Sequence, residues 1–157
     1  MFIKPELETA FYDFAKEALG LGTVEITEIA PPRKPVVRRG WAADIAVSGF
    51  EDGKSCHIRV VICLKTLKIY AKFMFNDDNP SNETLRDLIC EIANLIGGRA
   101  KVILGEKHGD LRLATPVFVG SNSGTDCKKV MKNPKKEAFW LHFWVAENEI
   151  SLFGRSV

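Results

Sequence analysis

The sequence predicts a single α+β (α/β) domain spanning residues 1–157, with long helices packed on a mostly antiparallel β-sheet. Three observations carry this expectation. Apolar residues recur at helical spacing in two long stretches, residues 5–19 and 80–97. Short runs rich in β-branched and aromatic residues lie between and after them, two of them joined by an Asp-Gly hairpin signal. No Pro-, Gly- or Ser-rich linker divides the 157 residues, a length that suits one domain.

The elements follow in order. Leu7, Ala10, Phe11, Phe14, Ala15 and Ala18 form the apolar stripe of a first helix that Gly20 ends. Residues 23–29 set Val24, Ile26 and Thr27 against Glu25 and Glu28, a short strand. Pro31, Pro32 and Pro35 make a loop that carries Arg33, Lys34, Arg38 and Arg39, either a solvated turn or a face for an acidic partner. Residues 41–50 and 55–64 read as strands around Glu51-Asp52-Gly53-Lys54. Leu67, Tyr70, Ala71 and Met74 then repeat at three and four, a short helix that Asn76 to Pro80 breaks. Asn79 or Ser81 caps the next long helix, and Gly97-Gly98 is its expected stop. Residues 100–104 and 111–114 read as strands around a turn at 106–110, and 116–119 as an extended segment. Residues 120–136 form a basic loop with Lys128, Lys129, Lys132, Lys135 and Lys136. Residues 139–145 and 150–153 end the chain as strands. The former is apolar on both faces, the kind of exposed strand that invites pairing with a second chain.

Composition excludes several classes. Hydrophobic residues make up 46% of the chain, which rules out disorder. A chain of this length buries about 68–70% of its unfolded surface and needs no metal or disulfide to hold its core. Lys and Arg total 22 against 20 Asp and Glu, without the basic excess of a dedicated nucleic-acid binder. No window approaches the ~18 apolar residues of a membrane span, and the N-terminus lacks an apolar signal core. Cys56, Cys63, Cys90 and Cys127 contain no CxxC pair and read as reduced thiols of a cytoplasmic protein. Cys56-His57 with Cys63 matches no zinc spacing, so no metal site is expected.

Chemistry concentrates on the second long helix. With successive side chains turning by about 100°, Leu85, Leu88, Ile89, Ile92 and Ile96 form one apolar stripe. Asp87, Glu91 and Asn94 fall within about 60° of each other, nearly opposite that stripe. Taken alone, such a ridge is the polar face that any amphipathic helix needs. Its two acids at i and i+4 mildly repel, so the pair does not optimise the helix.

Asp87-x-x-x-Glu91-x-x-Asn94, followed by Gly97-Gly98 and Pro116, resembles the signature of the CheC/CheX/FliY phosphatases of bacterial chemotaxis. That signature sets an acid or serine, a glutamate and an asparagine on one helix, with a proline a little over twenty residues on. Here 21 residues separate Asn94 from Pro116. That is about one short, which a deletion in the turn at 107–110 explains. Residues 49–52 and the run from Thr115-Pro116 to Gly120 extend the likeness, which covers residues 40–120. Only one copy of the motif is present, since Glu8 in the first helix is followed by Phe11. A single copy is similar to the CheX branch rather than CheC, and 157 residues leave no room for the flagellar-switch segments of FliY.

The resemblance implies a CheX-like phosphatase acting on the aspartyl phosphate of a CheY-like response regulator. By the same likeness, Asn94 orients the attacking water and Glu91 pairs with a receiver lysine. Asp87 binds the partner, while Gly97, Gly98 and Pro116 are structural. Mg2+ is expected on the receiver, with no cofactor on this chain. A homodimer formed through the sheets is expected too, with the ridge left free. The alternative is a non-catalytic CheX-like module that docks a receiver or flagellar-switch component.

Other residues point elsewhere. His57 and His142 fall on predicted strands without an identifiable acid–base partner. The run from Gly120 to Gly124 lacks the Lys-Ser/Thr of a phosphate loop. Trp140 and Trp144, four apart on a strand, suit packing better than ligand stacking.

Overall fold

The computed structural model describes residues 6, 9, 10, 13, 24–27, 40–121, 138–145 and 148–156; for residues 24–27, 138–145 and 148–156 it gives the backbone course. Glu6, Thr9, Ala10 and Asp13 are helical. The elements that follow are β1 (Val24–Thr27), β2 (Trp41–Ser48), β3 (Cys56–Ile62), α1 (Leu64–Phe75), α2 (Asn82–His108), β4 (Arg112–Leu113), β5 (Val117–Gly120), β6 (Ala138–Val145) and β7 (Asn148–Ser156). The sheet runs β1-β6-β7-β3-β2-β4, with β5 also on β2, and every pairing is antiparallel. The α+β architecture with helices on an antiparallel sheet is therefore as expected. The basic segments 31–39 and 122–136, with Cys127, and the side chains of Trp140, His142 and Trp144 lie outside the described residues.

Alternation along the β2–β3 hairpin explains the core. Ala43, Ile45 and Val47 of β2 and Cys56, Ile58, Val60 and Ile62 of β3 point to one face and are buried. That face meets the stripe of α2, where Leu85, Leu88, Ile89, Ile92 and Ile96 are at most 1% exposed. Leu67, Tyr70 and Ala71 of α1 join the same cluster. The hairpin closes where the Gly53 N–H donates to the Phe50 carbonyl at 3.0 Å. Of the two candidate caps, Ser81 is the one used: its hydroxyl accepts from the Thr84 N–H at 3.1 Å.

The main departure from expectation is the end of α2. The helix passes through Gly97-Gly98 and continues to His108, so residues 100–104 are helical rather than a strand. The apolar stripe explains this, because Ala100 and Leu104 extend it and are buried. A helical glycine costs about 0.8–1.0 kcal/mol relative to alanine, and burial of the extended stripe outweighs that. The true stop is Gly109, at φ +80°, whose N–H donates to the Gly105 carbonyl at 2.9 Å. A second departure concerns residues 139–145. β6 pairs with β1 on one side and β7 on the other, so it has no free edge. Among the described residues, the outermost strands of the sheet are β1 at one end and β4 and β5 at the other. No helix among the described residues is long and apolar enough to cross a membrane.

The two glycines differ in role. A Cβ at Gly97 would stand 2.9 Å from Ile45 Cδ1 and 3.0 Å from Leu113 Cδ1, closer than packed carbons tolerate. A Cβ at Gly98 would meet Leu113 Cδ2 at 4.0 Å, an ordinary contact. Gly97→Ala should therefore destabilise by about 1–3 kcal/mol through overpacking, and Gly98→Ala should stabilise by about 0.5–1 kcal/mol through helix propensity. Urea unfolding of both variants checks this. Equal effects would mean that α2 does not lie against β2 and β4 at residue 97.

Candidate functional site

The side of α2 away from its apolar stripe carries the expected ridge. Asp87 and Glu91 are exposed and Asn94 is half-buried. With Cys90 they form one wall of an open cleft of about 480 Å³, and residues 113–116 form the other. The ridge and Pro116 thus meet in one depression, although the segment between them is a residue shorter than the expected spacing.

Strand register shows how Pro116 gets there. Leu113 pairs with Val47, the Ala114 N–H donates to the Ala46 carbonyl at 2.9 Å, and Val117 pairs with Asp44. Thr115 and Pro116 therefore stand together opposite Ile45 alone, an outward bulge of one residue. A proline suits that position because it has no N–H to offer a ladder. Ile45, facing the bulge, is also one of the two residues that fill the space above Gly97. Leu113 is the other, and it lines the cleft. One tight contact between helix and sheet therefore sets the distance between the two walls.

Among the described residues, no hydrogen bond or ion pair engages the side chains of Asp87, Glu91 or Asn94, so their polar atoms are available to a ligand. Cys90, one turn before Asn94, has its thiol pKa raised, chiefly by burial; the nearby Arg86 opposes the shift and Asp87 adds to it. It is a thiol, not a thiolate, at neutral pH. Cys56 is buried between β3 and the helices and burial pushes its thiol up to about 12, which makes it inert. No group of three or more His, Cys, Asp or Glu side chains able to hold a metal exists among the described residues.

The remaining candidates lie apart from the cleft. His57 is exposed on β3, and its side chain points to the face opposite Cys56 and Ile58, away from α2. Cys56 and Cys63 are free, and Cys63 ends in a 3.1 Å contact with the Thr66 hydroxyl. Cys90 and Leu113 line the cleft without having been singled out in the sequence. Cys90 lies within about 40° of Asn94 on the helical wheel, so periodicity contained it. Leu113 shows only through tertiary packing.

Comparison with known proteins identifies the family and the fold. The family model described as chemotaxis phosphatase CheX matches residues 45–135. The chain belongs to the CheX family. Among solved structures it is similar to the chemotaxis protein CheX of Vibrio vulnificus, with a TM-score of 0.79 at 16% identity over 99% of both chains. CheX of Desulfovibrio desulfuricans gives 0.70 at 18% identity, again over 99% of each. A CheX–CheY–BeF3–Mg2+ complex from Borrelia burgdorferi gives 0.71 at 15% identity, covering 99% of this chain and 97% of that one. At these identities the structures share the fold. No curated protein matches the chain.

An exposed i, i+4 pair of carboxylates with no partner contributes repulsion and little else. Glu91→Ala should leave the fold intact and raise stability by about 0.2–0.5 kcal/mol, as removal of a like-charge helical pair does. Denaturant midpoints measured at low ionic strength provide the check. A loss of about 2 kcal/mol or more, beyond what an exposed substitution causes, would contradict an unengaged carboxylate.

Proposed function

We propose that this protein is a phosphatase that hydrolyses the aspartyl phosphate of a CheY-like receiver domain in bacterial chemotaxis signalling. The observation that carries the reading is the unengaged Asp87–Glu91–Asn94 ridge facing Pro116 across an open cleft. Membership of the CheX family supports it, as does the existence of a CheX–CheY complex with a similar fold.

An acyl phosphate is already reactive, so a catalyst contributes mainly orientation and charge stabilisation. In the proposed step a water oxygen attacks phosphorus while the bond from phosphorus to the aspartyl oxygen breaks. The products are the free aspartate carboxylate and inorganic phosphate; one proton of the water stays on the phosphate and the other passes to solvent. Asn94 suits the orienting role because an amide donates and accepts hydrogen bonds at once. It can fix a water in line without competing as a nucleophile. Its half-buried position limits the rotamers the amide must give up on binding. Glu91, one turn earlier and more exposed, is proposed to pair with a lysine of the receiver and fix its pose. Asp87 lies a further turn out and takes a supporting docking role. Mg2+ belongs to the receiver in this scheme and screens the phosphoryl charge there. Action in the cytoplasm, where receiver domains work, follows from the same reading.

Asn94→Ala should lower kcat by about 10²–10³, as loss of one preorganised polar group does, and leave receiver affinity nearly unchanged. Glu91→Ala should weaken affinity and turnover together. Glu91→Lys should be worse, because two cations would meet, and Asp87→Ala milder than either. Phosphate release across a range of receiver concentrations, with affinity measured separately, tests this. Near-normal turnover by Asn94→Ala would remove the water-orienting role.

A further inference from the structure

A second cleft of about 450 Å³ lies between the beginning of α2 and β5, lined by Trp41, Asn82, Glu83, Arg86, Phe118 and Ser121. The two clefts share the same two sides. Arg86 immediately precedes Asp87 on the helix, and Phe118 lies two residues beyond Pro116, so both face the same way along the extended segment. The clefts thus follow one another along α2 and the extended segment, from Asn94 to the first turn of α2.

The second cleft has a distinct chemistry. The Arg86 guanidinium carbon sits 5.1 Å from the centroid of the Phe118 ring, within cation–π range. Phe118 in turn packs on Trp41, with ring centroids 5.7 Å apart at an interplanar angle of 51°. The guanidinium thus lies over an aromatic ring, a contact that reduces the freedom lost when its N–H fork engages an anion. Arg86 is exposed, and no carboxylate pairs with it among the described residues. We propose that the Arg86–Phe118–Trp41 cleft is a docking subsite for the receiver, taking a carboxylate side chain of the receiver's contact face with an apolar neighbour packed against Phe118. The occupant is the same partner as in the first cleft, since both lie along the same helix and the same extended segment, and the inference rests on that reading.

Distance separates this role from the chemistry. Arg86 and Asn94 are eight residues apart, about 12 Å along a helix at 1.5 Å per residue. The Phe118 platform lies a further ~7 Å along the extended chain from Pro116. A water oriented by Asn94 must lie within about 3.5 Å of phosphorus, so a guanidinium resting on Phe118 is out of reach of the phosphoryl group. Its contribution falls on affinity, not on the bond-breaking step. Phe118 acts as a positioning residue through Arg86.

The test uses the full chain and a CheY-like receiver loaded with Mg2+ and beryllofluoride, a state that binds without turning over. Arg86→Ala should weaken binding about tenfold and Arg86→Glu more, because a carboxylate would then meet a carboxylate. Arg86→Lys should recover only part of the affinity, since an ammonium lacks the stacked fork. Phe118→Leu should weaken binding less than Arg86→Ala and make the Arg86 effect smaller in a double-mutant cycle. On the phosphorylated receiver, Arg86→Ala should raise KM with kcat within about twofold of wild type. Circular dichroism melts confirm that the variants are folded. Unchanged affinity of folded Arg86→Ala, or a fall in kcat with affinity intact, would overturn the docking role while leaving the phosphatase reading in place. Arg86-dependent binding without any hydrolysis by the wild type would do the reverse. A wild type that does not bind the receiver would overturn both.

Discussion

Residue 97 has no side chain, and carbons of Ile45 and Leu113 occupy the space where one would begin. This close approach fixes how deeply α2 sits on the sheet. The same two residues act at both ends of the contact. Ile45 stands opposite the Thr115–Pro116 bulge, and Leu113 forms part of the cleft wall. Moving α2 outward would therefore bury the stripe less well and widen the cleft at the same time. The stripe opposes such a shift, because Leu85, Leu88, Ile89, Ile92 and Ile96 all lose water on docking. Rigid seating of this kind is what a mechanism based on orientation requires, since a displacement of about 1 Å can forfeit much of the gain.

The ridge is graded in exposure along the helix. The amide of Asn94 is half-buried, and the exposed carboxylates of Glu91 and Asp87 stand one and two turns nearer the helix start. Arg86 adds a cation beside them, over the Phe118 ring, with Glu83 beyond it in the first turn. Under the proposed reading, a partner laid along α2 meets alternating charge, a pattern that favours one orientation over its reverse.

Much of this was legible in the sequence, for reasons that differ by element. The stripe and the ridge of α2 follow from a 3.6-residue period, and the β2–β3 hairpin from alternation around Asp-Gly. These are local signals that the fold leaves intact. Gly97-Gly98 misled because glycine is a local stop signal, whereas here one glycine answers a tertiary contact with Ile45 and Leu113. The continuation of the stripe through Ala100 and Leu104 was the competing signal, and it prevailed. β6 was misjudged as an exposed strand because one of its neighbours, β1, comes from residues 24–27, far back in the chain. The bulge at Thr115–Pro116 depends on register, which no short window of sequence reveals. The platform under Arg86 escaped notice for a similar reason: Trp41, Arg86 and Phe118 become neighbours only when β5 pairs with β2.

The most direct measurement is the decay of aspartyl phosphate on an isolated CheY-like receiver, followed with and without the protein at substoichiometric concentration. Faster loss of phosphate, with one protein molecule serving many receivers and Asn94→Ala failing to accelerate it, is the expected result. Equal decay with and without a folded wild-type chain that nonetheless binds the receiver would contradict hydrolysis and leave a docking module in its place.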